Sequence, residues 1–340
     1  MTYRVGIVGA GFGERVHLPA YAGHPNFEVV AIASPHSAQR IANERDITAF
    51  KDVNAMLAGI DLDVVSIATP PFSHHDDVLA ALSAHKHVIC EKPFALNVAQ
   101  AQDMVQTAKT VGTACGVMHE FRYVPQRQAL KELVQNGHLA PLRDMEITQL
   151  GMFLRAPVKR RGNWWFQKDK GGGIAGALLS HLIDTSTWLA GRPPVHSVGV
   201  LRTANARRSD EERSFTSDVD DGAFALLDYG EGLVARLTVD GTSAVDAFTL
   251  AVHAENRTAV SSGTSMTRNT LFSIDEQDTA ELDCAPLKYA KFEPINDHVP
   301  LVMELLDAFS EQIRTGTSAV PTFEEALQTQ RVLDSIGFGA

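Results

Sequence analysis

Two residues of this 340-residue chain combine type and setting in a way that suits proton and charge handling: Lys92, in HVICEKP, and His181, in GGGIAGALLSHLID. An ammonium can hydrogen-bond a reacting oxygen and stabilise developing alkoxide charge. An imidazole titrates near neutral pH and suits transfer of a hydroxyl proton. Lys92 follows a short apolar run and precedes Pro93, which reads as the carboxyl end of a buried strand. Ligands of open parallel sheets bind at such ends. His181 follows three glycines on a segment with helical spacing. A proton-transferring histidine is commonly steadied by a carboxylate, and one helical turn earlier stands Ala177. Asp184, three residues later, and Glu120, in HEFRYVP, are other acids that could serve.

A third feature is the run VGIVGAGFGERVHLPAY, which ends a strand and opens a helix. Gly9 can make a tight turn, and Gly11 lets the backbone approach a pyrophosphate. The helix N-terminus offers free N–H groups and a positive dipole end to that anion. The third fingerprint position is Glu14, with Gly13 just before it. The second strand ends Ala33-Ser34-Pro35-His36, without the acid that holds the ribose 2′-hydroxyl of NAD, and Arg40 follows. That pattern leans slightly to NADP over NAD.

These residues need elements to hold them. Apolar runs at 3–8, 28–33, 63–69, 87–91 and 113–118 alternate with helical patterns such as 97–110. Such strands predict a parallel sheet covered on both faces, a Rossmann-like doubly wound domain over residues 1–120. After a helix at 125–136 the rhythm changes. Strands at 143–150, 195–202, 223–229, 233–240, 247–254 and 270–274 predict a second α/β domain, residues 121–340, on a large, mainly antiparallel sheet. Gly230-Glu231-Gly232 reads as a hairpin turn. Residues 205–218 read as a solvated loop, as does the basic cluster Arg155, Lys159, Arg160 and Arg161. A helix is expected at 301–313, and the one near the C-terminus is expected only to pack.

Composition narrows the classes. The formal charge of −11 would repel a nucleic-acid backbone, and no apolar run is long enough to span a membrane. Three widely spaced cysteines (Cys90, Cys115 and Cys284) argue for a reducing, cytoplasmic setting and against a metal site or disulfide framework.

The order of the G-x-G turn, Thr69-Pro70-Pro71 with His74, Glu91-Lys92-Pro93 and finally GGG…Ser180-His181…Asp184 resembles the Gfo/Idh/MocA oxidoreductases, named after glucose-fructose oxidoreductase and inositol dehydrogenase. The resemblance implies hydride transfer between NAD(H) or NADP(H) and a sugar, polyol or inositol-like hydroxyl, in a homodimer or homotetramer. It implies that Gly9, Gly11, Phe12 and Gly13 line the phosphates, with Ser34 near the adenosine ribose. Thr69, Pro70, Pro71 and His74 would lie along the cofactor, and Glu91 and Lys92 would approach the nicotinamide ribose. Lys92 and His181 would be catalytic, with the family's acid replaced at Ala177. Glu120, Arg122, Trp164, Trp165 and Asp184 are expected toward the substrate, with Tyr123 beside Arg122. Two other activities stay open: NAD-dependent glycoside cleavage through transient oxidation, and non-catalytic NAD(P) sensing.

Overall fold

The computed structural model describes residues 2–156, 158–275, 278–317 and 319–339; Met1 and Ala340, the outer ends of the two expected domains, lie outside the described residues. By its packing the chain forms two units, residues 1–123 with 287–327 and residues 124–286 with 328–340.

The first unit is built on six parallel strands: β1 Tyr3–Val8, β2 Phe27–Ala33, β3 Thr48–Phe50, β4 Val64–Ile67, β5 His87–Cys90 and β6 Cys115–Val117. Their order is β3-β2-β1-β4-β5-β6, which reverses direction of winding between β1 and β4. The carboxyl ends of β1 and β4 at that reversal are where such sheets bind ligands. Val5, Ile7, Val64, Val65, Ile67, Val88 and Ile89 are fully buried, as strands covered on both faces require.

Sequence rhythm placed one cut after residue 120, whereas packing returns 287–327 to the first unit. The physical reason is the helix Val299–Thr315, whose Val302, Leu305, Leu306 and Phe309 are fully buried in the cluster that holds Val5, Ile7 and Ile32. Burying such a stripe removes several large apolar side chains from water at about 1.5–3 kcal/mol each.

The second unit carries β7 Leu142–Leu150, β8 His196–Arg202, β9 Arg207–Ser209, β10 Ser214–Thr216, β11 Gly222–Asp228, β12 Val234–Asp240, β13 Ala247–Ala254, β14 Thr258–Gly263, β15 Asn269–Ile274 and β16 Thr279–Glu281. Eight of them form one sheet in the order β16-β15-β14-β13-β7-β12-β11-β8. Among the described residues of this sheet, β7 and β12 pair in parallel and the other neighbours pair antiparallel. Met145, Ile147, Leu237, Val239, Leu250 and Val252 alternate with more exposed neighbours, so one face of this sheet is the core. At the β11–β12 turn Gly230, Glu231 and Gly232 all take positive φ.

Residues 205–218 are not simply a solvated loop. They fold into the β9–β10 ribbon, with Phe215 against Phe166 and the Arg208 guanidinium on the buried Asp221 carboxylate at 3.2 Å. The polar composition hid one aromatic anchor and one buried ion pair. No helix among the described residues is long and apolar enough to cross a membrane.

Candidate active site

In the first unit, the turn after β1 assigns each glycine a distinct task. Gly9 has φ +106°, and a Cβ there would stand 2.3 Å from the Ala68 carbonyl oxygen. Gly11 is exposed, and a Cβ on it would meet nothing within 4 Å, so its backbone faces open space that a ligand can fill. Gly13 lies against β1: a Cβ would be 3.1 Å from Ile7 Cγ2 and 3.3 Å from Ala68 Cβ. Tight turn, open approach and close helix–strand packing are the three tasks of a dinucleotide fingerprint. The third falls to Gly13, so Glu14 costs the motif nothing and turns outward. A wide helical turn, Gly13–His17, opens directly after Phe12 and runs into the helix Leu18–Gly23. The first N–H groups of a helix have no acceptor within it, which suits an anion there. These residues fit a dinucleotide.

Arg40 departs from its expected place on a 2′-phosphate. Its guanidinium meets both Glu14 carboxylate oxygens at 2.8 Å and Glu44 at 3.2 and 3.3 Å. Two acids on one cation leave a local surplus of negative charge. Ser34, at the end of β2, donates its backbone N–H to the Phe50 carbonyl and keeps its side chain partly exposed.

One residue expected along the cofactor, His74, acts as a buried support. The His74 imidazole is fully buried, with Nδ1 3.0 Å from the Pro93 carbonyl and Nε2 2.8 Å from the Thr69 carbonyl. It braces the turns after β4 and β5 against each other, and burial lowers its pKa. Thr69 Oγ1 donates to Asp77 at 2.9 Å; burial pushes the Asp77 carboxyl up to about 6 despite that bond. Pro71 is buried and opens the helix Pro71–Ser83, while Pro70 is partly exposed.

Glu91 is likewise committed inward. Oε1 lies 2.9 Å from His17 Nε2, Oε2 accepts the Lys92 backbone N–H at 3.1 Å, and His17 Nδ1 is 2.8 Å from Ser66 Oγ. Burial alone would raise the Glu91 carboxyl, but the bond to and charge of His17 hold it below the usual carboxylate range. His17 went unnoticed in the sequence; its spacing from Gly13 on one helical turn is the signal that could have found it. Lys92 follows at the end of β5, partly buried. The Glu120 side chain is buried, and its Oε1 is 2.9 Å from His298 Nδ1. The Arg122 guanidinium meets Glu325 at 3.0 Å and is 8% exposed. Tyr123 Oη donates to the Ala319 carbonyl at 3.3 Å.

In the second unit the run 171–184 is equally constrained. Gly171 has φ +73° and closes the short turn Lys168–Lys170. A Cβ on Gly172 would be 2.3 Å from the Trp165 carbonyl oxygen, and one on Gly173 (φ +102°) 2.4 Å from Asp220 Oδ1. Trp164 and Trp165 therefore act on this turn through their backbone, while the Trp165 ring lies 5.1 Å from Phe166 and 5.2 Å from the Arg160 guanidinium. Arg155, Lys159, Arg160 and Arg161 are all exposed. Asp220 was missed in the sequence, where it sits in an acidic run after a polar segment. Its Oδ2 accepts the Ala175 N–H at 2.6 Å and its carbonyl accepts the Ile174 N–H at 3.2 Å. A wide turn of π type, Ala175–Leu179, then leads into the helix Ser180–Ala190. At that pitch the residues one turn before His181 are Gly176 and Ala177, neither of which carries an acid. His181 and Asp184 are both 2% exposed. Among the described residues no three His, Cys, Asp or Glu side chains are grouped to hold a metal ion.

Known proteins share this sequence and this fold. Residues 3–119 match the GFO_IDH_MocA family of oxidoreductases with an NAD-binding Rossmann fold, and residues 127–260 match the GFO/IDH/MocA C-terminal domain. An uncharacterized oxidoreductase of Synechocystis is 35% identical over 210 residues, 61% of this chain and 56% of that one. D-glucoside 3-dehydrogenase of Escherichia coli is 30% identical over 239 residues, 67% of each chain. The match thus spans little more than half the length of the first relative and two thirds of the second. The solved structure of a levoglucosan dehydrogenase with NADH superposes with a TM-score of 0.87 at 22% identity, covering 100% of this chain and 97% of that one.

Burial pushes the Asp220 carboxyl up to about 6, against the lowering effect of its bonds to Ala175 and Ile174. A carboxyl whose folded pKa exceeds its unfolded one gives its full stabilisation below the unfolded value and loses it as pH climbs through the folded value. Asp220→Asn should therefore remove a pH-dependent contribution of about 2–3 kcal/mol. In denaturant unfolding the wild type should lose stability relative to D220N between about pH 4 and pH 6. Parallel curves for the two proteins would refute the assignment.

Proposed function

The chain belongs to the Gfo/Idh/MocA oxidoreductase family, and from that premise we propose that it is an NAD(H)-dependent dehydrogenase acting on a hydroxyl group of a sugar or polyol. The observation that carries this reading is the glycine turn, with its open Gly11 face, in the same unit as a lysine held at the end of β5 by a buried His17–Glu91 pair. The relatives named above include a D-glucoside dehydrogenase, which supports a carbohydrate substrate.

In this reading Gly9, Gly11, Phe12 and Gly13 hold the pyrophosphate, Ser34 borders the adenosine ribose, and Thr69, Pro70 and Pro71 border the rest of the cofactor. Bound nicotinamide supplies or accepts the hydride. Lys92 donates a hydrogen bond to the reacting oxygen and stabilises it as alkoxide character develops. His181 takes the hydroxyl proton during oxidation and returns it during reduction. Trp164, Trp165, Asp184 and Glu120 shape the surroundings of the substrate. Asp220 supports His181 through the turn that starts its helix.

The preferred cofactor is NAD rather than NADP. Arg40 is already engaged by Glu14 and Glu44, and those carboxylates would repel a 2′-phosphate. We place the enzyme in the cytoplasm, supported by three free cysteines far apart in sequence. We also read it as a homo-oligomer, supported by Val198, Val200 and Leu226, 47%, 63% and 45% exposed on neighbouring strands β8 and β11.

Titration of ligand fluorescence should give a Kd for NADH at least about tenfold below that for NADPH, and Arg40→Ala should leave the NADH value nearly unchanged. Equal or reversed affinities would overturn the NAD assignment. On a panel of sugars, polyols and inositols, the best substrate should lose about 100- to 1,000-fold in kcat on Lys92→Met. Turnover within a few-fold of wild type would contradict the role of Lys92. Aglycone release with no net reduction of NAD would instead indicate glycoside cleavage.

A further inference from the structure

The β9–β10 ribbon of the second unit sorts its side chains onto two faces. Across the strands Arg208 pairs with Phe215, Arg207 with Thr216 and Ser209 with Ser214. Alternation therefore sends Arg208 and Phe215 one way and Arg207, Ser209, Ser214 and Thr216 the other. The first face is anchored: Phe166 lies 5.2 Å from the Phe215 ring and 5.2 Å from the Arg208 guanidinium. The second presents one guanidinium beside three hydroxyls, and none of these four side chains bonds another group among the described residues. The ribbon borders an open cleft of about 420 Å³, which Asn205, Phe215, Ala156 and Val158 also line. Small-molecule sites span roughly 300–1,000 Å³.

Charge around the cleft runs against that of the chain. Segments 155–161 and 207–213 hold seven lysines and arginines and three acids, in a protein of formal charge −11. Among the described residues Arg155, Lys159, Arg161, Arg207 and Arg213 pair with no carboxylate. Asp210, which stands among them in sequence, is taken up by the backbone. It accepts the N–H groups of Gly162 at 3.0 Å, Glu212 at 3.0 Å and Arg213 at 2.8 Å. Those bonds hold its carboxyl down to about 2 and pin residue 162 to the turn of the ribbon. Arg208, which also lines the cleft, is 8% exposed and spans the Leu154 carbonyl at 3.1 Å and Asp221 at 3.2 Å. Its Nε has no partner among the described residues. Cations gathered without acids repel one another, and a bound anion relieves that repulsion.

We propose that this cleft is a binding site for a small anionic carbohydrate, a sugar that carries a phosphate or a carboxylate. Arg207 takes the anionic group, whose paired oxygens match the guanidinium fork. Ser209, Ser214 and Thr216, each able to donate and to accept, take sugar hydroxyls, and Phe215 offers an apolar contact to the ring. Arg208 stays with Asp221 and adds positive potential from a fixed position. A bare inorganic anion would use Arg207 and leave the three hydroxyls without a task. Asp221 ties the cleft to the rest of the unit: it also accepts the Ala204 and Asn205 N–H groups, both at 2.8 Å. Asp220, beside it, holds the turn that starts the His181 helix. Binding here needs neither nicotinamide nor turnover, so the site stands or falls separately from the dehydrogenase reading.

The test is calorimetric titration of the whole protein, without cofactor and at low salt, with glucose 6-phosphate, glucuronate, glucose and inorganic phosphate. At least one of the two charged sugars should bind with a Kd of about 1 mM or below, and glucose and inorganic phosphate at least about tenfold more weakly. Arg207→Ala should weaken the charged sugar by about 10- to 100-fold, the effect of losing a hydrogen bond to a charged group. Arg207 is exposed and its side chain bonds nothing in the fold, so R207A should fold as wild type does. Arg207→Lys, which keeps the charge and loses the fork, should restore part of the affinity. Tighter glucose 6-phosphate assigns a phosphate to the site and tighter glucuronate a carboxylate; either result supports it. Absence of binding by both charged sugars, equal binding by R207A, or inorganic phosphate that matches the charged sugars overturns the proposal.

Discussion

One buried imidazole ties together the chain segments on which the nucleotide half of this protein depends. His17 lies one helical turn past the glycine loop, bonds Ser66 on β4 with one ring nitrogen, and bonds Glu91 beyond β5 with the other. Glu91 in turn receives the Lys92 backbone N–H. Removing one partner of such a buried pair strands the other, at about 3–5 kcal/mol. The network therefore acts as a rigid joint between the loop that faces the open side of Gly11 and the lysine at the end of β5. His74 adds a second joint, spanning the Thr69 and Pro93 carbonyls. Groups that act on a substrate must be held to a fraction of an ångström, and buried polar braces behind them are how a loop achieves that.

The second unit meets the same requirement through steric exclusion. Three consecutive glycines stand where the backbone carbonyl of Trp165 and the carboxylate of Asp220 leave no room for a Cβ on Gly172 or Gly173. Asp220 then takes the first N–H of the turn that begins the His181 helix. The wide pitch of that turn shifts which residues precede His181 on its face. A small residue at Ala177 is accordingly one of two, with Gly176, that occupy this position.

Much of this was legible in the sequence because it follows from local pattern. Apolar runs of five to seven residues marked most of the parallel strands, and the glycine turn, Glu91-Lys92-Pro93 and Ser180-His181 stood out by type and order. β3, only three residues long, carried too little pattern, and β14 was masked by Ser261, Ser262 and Gly263. Roles of side chains were harder to read. His74, Glu91 and Arg122 look like ligand contacts in one dimension, yet their partners (Pro93, His17 and Glu325) are 19, 74 and 203 residues away. Arg40 offered a cation for a 2′-phosphate, but Glu14 and Glu44 had already been placed around it by the helix that follows β2 and the turn that follows β1. Long-range pairing of charges is set by the fold, and sequence spacing does not report it.

The central claim is that this chain moves a hydride between a nicotinamide and a carbinol carbon. The most direct measurement uses a substrate carrying deuterium on the carbon that is oxidised, identified from the sugar and polyol panel, with recovery of the reduced nicotinamide for mass analysis. The account predicts one deuterium per reduced nicotinamide formed, accompanied by slower turnover in a single-turnover experiment. Product formed with no deuterium on the nicotinamide would contradict it.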